Sequence, residues 1–254
     1  MILTVDIGNS NIVIGLFQGD KPLFSARFHT DKSRLCDEYA LDLKSLFELH
    51  RLAPEIEGAV LSSVVPSLTR AMSSAIQTVT GIAPLVIAPG IKTGLNIAID
   101  NPSQLGSDIL ADAVGAAAQY PLPILLIDLG TASTITLIDE KKNIRGCAIL
   151  PGVRLSLEAL SRGAAQLTDI SLDPPKDIIG TNTAEAMRSG LVFGTASMID
   201  GMIDRFSERI GAPLTPVATG GLSEFIVPHC RHKIRLDPEL QLKGLLNLYT
   251  RNQK

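Results

Sequence analysis

The chain has 254 residues, 45% of them hydrophobic, with a formal net charge of −3 and a mean hydropathy of +0.25. That size fits one large core or two modest ones, and the absence of a dense Lys/Arg run argues against nucleic acid as a main partner. The opening Met1-Ile2-Leu3-Thr4-Val5-Asp6 has no basic residue and meets Asp6 far short of signal-peptide or membrane-span length, which predicts a cytoplasmic protein without a membrane role.

In chain order, Ile2 to Val5 reads as a strand that ends in Asp6-Ile7-Gly8-Asn9-Ser10-Asn11 and resumes over Ile12 to Phe17. β-Branched runs on either side of a Gly/Asn/Ser segment predict a hairpin. From Asp37, apolar residues at helical spacing (Leu41, Leu43, Leu46, Phe47) predict a helix, and Gly58 to Leu61 a buried strand closed by Ser62-Ser63-Val64-Val65-Pro66. Asp100-Asn101-Pro102 and Gly106-Ser107-Asp108 then lead into a predicted helix, Ile109 to Gln119, whose Ala111, Ala113, Ala116 and Ala117 suit close packing.

The opening grammar then returns. Ile124 to Ile127 ends in Asp128-Leu129-Gly130-Thr131-Ala132-Ser133, and Thr134 to Ile138 resumes as a strand. Ile144 to Leu150 reads as a strand, Leu155 to Leu160 as a helix start, Glu185 to Phe206 as a long helix, and Thr215 to Thr219 as a strand ended by Gly220-Gly221. No Pro/Gly/Ser-rich linker intervenes, so the repeat sets the boundary: α/β halves over 1–120 and 121–254, a duplicated fold with a nucleotide cleft between them.

A carboxylate at a strand end beside a glycine turn suits a nucleotide site, because outward backbone N–H groups cradle phosphate oxygens and a hard cation prefers oxygen ligands. The same residues also populate plain hairpin turns. Two copies, plus a third glycine turn at Thr219-Gly220-Gly221, favour the nucleotide reading. Asp108 has two readings: an acid favoured by the start of a helix, or the group that deprotonates a hydroxyl in phosphoryl transfer. Cys36, Cys147 and Cys230 are too few and too far apart for a disulfide framework or zinc site. His29, His50, His229 and His232 sit in no metal or triad pattern.

Together the motifs resemble the ordered set of the type III pantothenate kinases, in the actin-like ATPase superfamily that includes acetate and sugar kinases. Those carrying the resemblance are Asp6 to Asn11, Leu61 to Pro66, Asp37-Glu38-Tyr39, Asp100-Asn101-Pro102, Gly106-x-Asp108, Asp128-x-Gly130-Thr131-Ala132, Pro151-Gly152, Gly180-x-Asn182-Thr183, Thr219-Gly220-Gly221 and the closing Asp237-Pro238 segment. The resemblance implies duplicated ribonuclease-H-like domains and phosphorylation of pantothenate to 4'-phosphopantothenate by ATP, the first step of coenzyme A biosynthesis. It also implies Mg²⁺, a monovalent cation (K⁺ or NH4⁺) and a homodimer with substrate pockets at the subunit interface. By the same resemblance Asp6, Ile7, Gly8, Asn9, Ser10, Asn11 and Thr131 bind ATP, with Asp6 at Mg²⁺. Asp128 holds the monovalent cation, Asp108 is the base, and Gly106, Ser107, Asp108 and Thr183 meet pantothenate.

Two positions depart from the family pattern: Ile99 stands where Tyr is usual, and Ile109 where Arg is usual. Loss of a charge-assisted hydrogen bond worth about 1.5–3 kcal/mol predicts a roughly tenfold to hundredfold weaker use of the acceptor. Three other functions fit parts of the pattern: a non-catalytic accessory paralogue, a kinase for another small alcohol, and a dinucleotide-binding fold. The first conflicts with retention of Asp6, Asp108, Asp128 and Thr183. The last lacks a Gly-x-Gly-x-x-Gly opening a helix after the first strand.

Overall fold

Apolar, β-branched runs become strands, and periodic apolar stripes become helices, in the computed structural model, which describes residues 1–52, 55–163 and 170–253. In chain order the elements are β1 (Ile2–Ile7), β2 (Asn11–Gln18), β3 (Lys21–His29), α1 (Cys36–Leu49), β4 (Gly58–Ser63), α2 (Pro66–Thr80), β5 (Leu85–Val86) and β6 (Asn96–Ile97). Then follow α3 (Ser107–Gln119), β7 (Ile124–Leu129), β8 (Ala132–Ile138), β9 (Asn143–Pro151), α4 (Val153–Gly163), α5 (Thr183–Ile210), β10 (Thr215–Thr219), α6 (Ser223–Ile226), β11 (Arg235–Leu236) and α7 (Leu240–Asn252).

The strands form two sheets, ordered β3-β2-β1-β4-β5 and β11-β10-β7-β8-β9-β6. Within the second, β9-β8-β7-β10-β11 repeats the first strand for strand. In both, the hairpin neighbours are antiparallel (β1 with β2, β7 with β8) and the crossover neighbours parallel (β1 with β4, β7 with β10). The extra edge strand β6 lies beyond β9, where Ala98 N–H also donates to Ile144 O at 2.9 Å.

The chain divides into two compact units, one of residues 1–96, 100–118 and 239–254, the other of residues 97–99 and 119–238. Two segments depart from a single cut at 120/121: residues 97–99 join the second unit, and α7 returns to the first. Small residues allow that return. A Cβ on Gly244 would lie 1.8 Å from Ala111 O, and one on Gly115 would lie 2.5 Å from Leu240 O, so α3 and α7 meet backbone to backbone. The alanine-rich face of α3 thus serves α7, while Leu242 of α7 covers Gly15 of β2 and joins Phe17 and Leu246 in a cluster.

Each unit has its own core. In the first, Leu3, Val5 and Ile7 of β1 pack with Leu43 of α1, Leu61 of β4 and Ile76 of α2, each 0% exposed. In the second, Leu125 and Ile127 of β7 pack with Ile135 of β8 and with Val192 and Ile199 of α5. At about 1.5–3 kcal/mol per fully buried aliphatic side chain, these clusters hold the strand ends, and with them the polar turns, in place. α1 starts where Glu38 reaches back to accept Leu35 N–H at 2.8 Å. α2 opens on Pro66, whose missing N–H costs nothing at a first helical position.

Candidate active site

Asp6 is the sixth residue of the chain and lies near the end of β1, only 4% exposed. Beyond it, Gly8, Asn9, Ser10 and Asn11 make the turn, with Asn9 and Ser10 exposed and Gly8 N–H donating to Asn11 O at 2.9 Å. The turn is braced from outside by Thr30, just past β3. Its hydroxyl donates to Gly8 O at 2.7 Å and its N–H to Ser10 O at 3.0 Å. Ile7 differs from its neighbours: its side chain is 0% exposed in the core and its carbonyl accepts Val64 N–H at 3.0 Å. Any part of Ile7 in ligand binding therefore falls to its backbone.

Parallel pairing sets Asp6 beside Ser62 of β4. Ser62 is wholly buried, and its hydroxyl donates to Ser107 Oγ at 2.9 Å, while Ser107 Oγ donates to Ser63 O at 3.3 Å. The start of α3 is thereby fastened to the strand next to Asp6. Asp108 follows at once, partly buried, with Oδ1 accepting Ile109 N–H at 2.8 Å. That bond comes from the backbone, so residue 109 keeps it whatever its side chain. Gly106 completes the arrangement, because a Cβ there would sit 2.3 Å from Asp108 Oδ1.

The second unit repeats the plan with different parts. Asp128 is the penultimate residue of β7, Gly130 N–H donates to Ala132 O at 3.2 Å, and Thr131 is exposed at the tip of the turn. Two glycines close on this turn. A Cβ on Gly152 would lie 2.3 Å from Thr131 O, and one on Gly220 would lie 2.3 Å from Asp128 Oδ1 and 2.6 Å from the Leu129 backbone. Gly220 also has φ +91°, a conformation that suits glycine.

Thr183 is placed elsewhere in the second unit, exposed as the first residue of α5. The preceding Asn182 caps the helix, its side-chain oxygen accepting Glu185 N–H at 3.0 Å. Thr183 lines an open, largely apolar pocket of about 720 Å³ with Leu160, Gly180, Asn182, Met187 and Leu191. Gly180 lies tight on the helix start, since a Cβ there would meet Ala186 N at 2.2 Å. Glu185 accepts Lys176 N–H at 3.2 Å and Arg188 Nη1–H at 2.8 Å, which holds its carboxyl below the usual range.

The structure therefore brings Asp6, Ser107, Gly106 and Asp108 to one end of the first sheet, and places Asp128, Thr131 and Thr183 in the second unit. Thr30 and the hydroxyl of Ser62 were not assigned roles from sequence. A signal for Ser62 existed: it ends a buried strand, and a polar side chain there needs a partner. Among the described residues no three His, Cys, Asp or Glu side chains gather as a metal cluster, and no helix is long and apolar enough to cross a membrane.

The chain matches the model of the family described as type III pantothenate kinase over residues 2–205. It is 41% identical to the type III pantothenate kinase of Exiguobacterium sp., covering 100% of both chains. It is 39% identical to that of Listeria monocytogenes serovar 1/2a, covering 100% of this chain and 98% of the relative. Among solved structures it resembles a conserved putative Baf family transcriptional activator from Campylobacter jejuni, with TM-score 0.59 and 20% identity over 98% of each chain. It also resembles the activator of 2-hydroxyisocaproyl-CoA dehydratase from Clostridium difficile with bound ADPNP, with TM-score 0.56 and 14% identity over 98% of this chain and 93% of that one. A putative 2-dehydro-3-deoxygalactonokinase protein from Sinorhizobium meliloti gives TM-score 0.58 and 13% identity, covering 98% of each chain. At such identities the structural likeness speaks to fold, and the fold is the duplicated α/β architecture of the actin-like ATPases. With the family match spanning most of the sequence and curated relatives near 40% identity end to end, the chain belongs to the type III pantothenate kinase family.

Proposed function

We propose that this protein phosphorylates pantothenate to 4'-phosphopantothenate with ATP, the first step of coenzyme A biosynthesis, and does so in the cytoplasm as a homodimer. The observation that carries the reading is the shared end of β1 and β4, where the Asp6 turn and the fastened start of α3 with Asp108 come together. A kinase needs a phosphate-binding turn and a carboxylate for the acceptor hydroxyl, and that strand end offers both.

In the proposed step Asp108 takes the proton of the pantothenate hydroxyl while its oxygen forms a bond to the γ-phosphorus and the bond to the ADP oxygen breaks. Backbone N–H groups of the turn after Asp6 cradle ATP oxygens in this reading; Thr131, at the tip of the second unit's own turn, is assigned to ATP by the family resemblance. Asp6 fits a Mg²⁺ role: a buried carboxylate at a strand end, next to a glycine turn, suits a hard cation that prefers oxygen ligands and keeps several waters. Mg²⁺ would supply neutralisation of the phosphate charge. Asp128, pressed by the Gly220 backbone, fits a monovalent cation by the same preference for oxygen donors.

Gly106 and Ser107 of the first unit are assigned to pantothenate in this reading, and the family resemblance assigns it to Thr183 of the second unit separately. Exposed apolar side chains in the second unit, Leu155 and Leu160 on α4 and Ile178 and Ile179 ahead of α5, supply surface that a second copy would cover. The test is ATP turnover by purified protein with Mg²⁺ and potassium, with and without pantothenate. ADP release that requires pantothenate is expected; release indifferent to pantothenate, or none, contradicts the reading.

A further inference from the structure

We infer that Ser62 is a positioning residue for phosphoryl transfer, acting through Ser107 on the Asp108 carboxylate; this rests on the reading of Asp108 as the base. Ser62 has 0% exposure, so it touches no substrate. Its hydroxyl is nevertheless spent on a single partner, Ser107 Oγ at 2.9 Å, which passes the chain of bonds on to Ser63 O at 3.3 Å. These two bonds tie the first residue of α3 to the end of the strand that pairs with Asp6.

The geometry explains why that tie matters. No side chain among the described residues grips Asp108: its Oδ1 accepts the backbone N–H of the next residue, Ile109, at 2.8 Å. The carboxylate therefore goes wherever the start of α3 goes, and the start of α3 is located by Ser107. Gly106 provides a second restraint of a different kind. Its missing Cβ leaves the space into which Asp108 Oδ1 folds, and a methyl there would stand 2.3 Å from that oxygen. Since the colliding atom is the end of a flexible side chain rather than backbone, Gly106→Ala is expected to displace the carboxylate and leave the fold intact.

The sequence of contacts makes a specific kinetic prediction. Ser62→Ala removes the first bond of the tie and Ser107→Ala removes both, so each lowers kcat, by up to about a hundredfold, the scale of a misplaced catalytic group, and the double variant is no slower than Ser107→Ala. KM for ATP stays at the wild-type value in Ser62→Ala, because the turn from Gly8 to Asn11 is held by Thr30 and not by Ser62. A merely structural Ser62 would instead lower thermal stability with kcat per folded molecule unchanged.

The experiment is steady-state kinetics of the full chain, with folded fraction measured by thermal melting, for wild type, Asp108→Asn, Ser62→Ala, Ser107→Ala, the double serine variant and Gly106→Ala. The expected pattern is a shared, non-additive kcat loss in the serine variants, and a kcat loss without a stability loss in Gly106→Ala. If Asp108→Asn abolishes turnover while both serine variants keep wild-type kcat, or if their losses multiply, the positioning role is overturned on its own. If Asp108→Asn turns over normally, the base assignment falls first and the positioning role with it. Should Ser62→Ala fail to fold, Ser107→Ala and Gly106→Ala decide the question.

Discussion

The two units build the same strand order and then finish the same turn in different ways. In the first, four residues separate the paired Ile7 and Ile12, and the longer loop is braced by the Thr30 hydroxyl and N–H. In the second, three residues separate Leu129 and Ser133, and the shorter loop is closed by glycines, Gly152 against Thr131 O and Gly220 against Asp128 and Leu129. Residue for residue along the third strand of each sheet, Thr30 and Gly152 occupy matching places, one past His29 and one past Pro151. A turn braced by a side chain can lose a hydrogen bond and survive. One closed by backbone contact tolerates no side chain at the contact.

That contrast orders the expected effects of substitution. The largest is Gly220→Ala, which combines a left-handed φ of +91° with overlap on backbone that cannot move aside. About 3 kcal/mol of destabilisation is expected, a fall in Tm of about 6–12 °C for a chain of this size. Ser63, at the corresponding strand end of the first unit, already carries a side chain, so Ser63→Ala should cost no more than its two hydrogen bonds with Val65. Equal losses at the two positions would break the comparison.

Gly152→Ala comes next. Its Cβ would meet Thr131 O, Gly130 O and the Thr131 carbonyl carbon within 2.8 Å, and about 2 kcal/mol of loss is expected. Thr30→Val removes one hydrogen bond at the matching place and should cost about 1 kcal/mol. Denaturant midpoints of the two variants sharpen the contrast: Thr30→Val falling further than Gly152→Ala would reverse it.

The smallest effect concerns pH. Lys176 N–H and then Arg188 hold the Glu185 carboxyl below its ordinary value of 4.5 in the folded protein. A folded-state value below the unfolded one means the bond stabilises above the unfolded value and is lost as pH falls through the folded one. The Tm gap between wild type and Glu185→Gln should therefore be present at neutral pH and close as pH drops below 4.5. A gap that widens in acid contradicts the sign.

Much of this was legible in the sequence because it rests on local pattern. The repeated strand-Asp-x-Gly turn announces both hairpins, and the helix after Asp108 follows from spacing and composition. What escaped is what depends on partners far along the chain. β3, with alternating exposure, carries too weak a pattern to stand out after the first hairpin. α2 begins at Pro66, where sequence reading saw only the close of a strand. The return of α7 to the first unit rests on glycine contacts between residues more than a hundred positions apart, which no local window registers. Thr30 was silent for the same reason, and Ser62 signalled only that a buried hydroxyl needs some partner: each acts by a hydrogen bond to a turn or helix start distant in sequence.

The central claim is that the first unit carries the base in Asp108. The most direct test is the yield of 4'-phosphopantothenate from Asp108→Asn against wild type, with ATP binding measured on both by calorimetry. A loss of about 10²–10⁴-fold in product rate with ATP affinity unchanged is the predicted result. Product formed at the wild-type rate by Asp108→Asn would contradict the account.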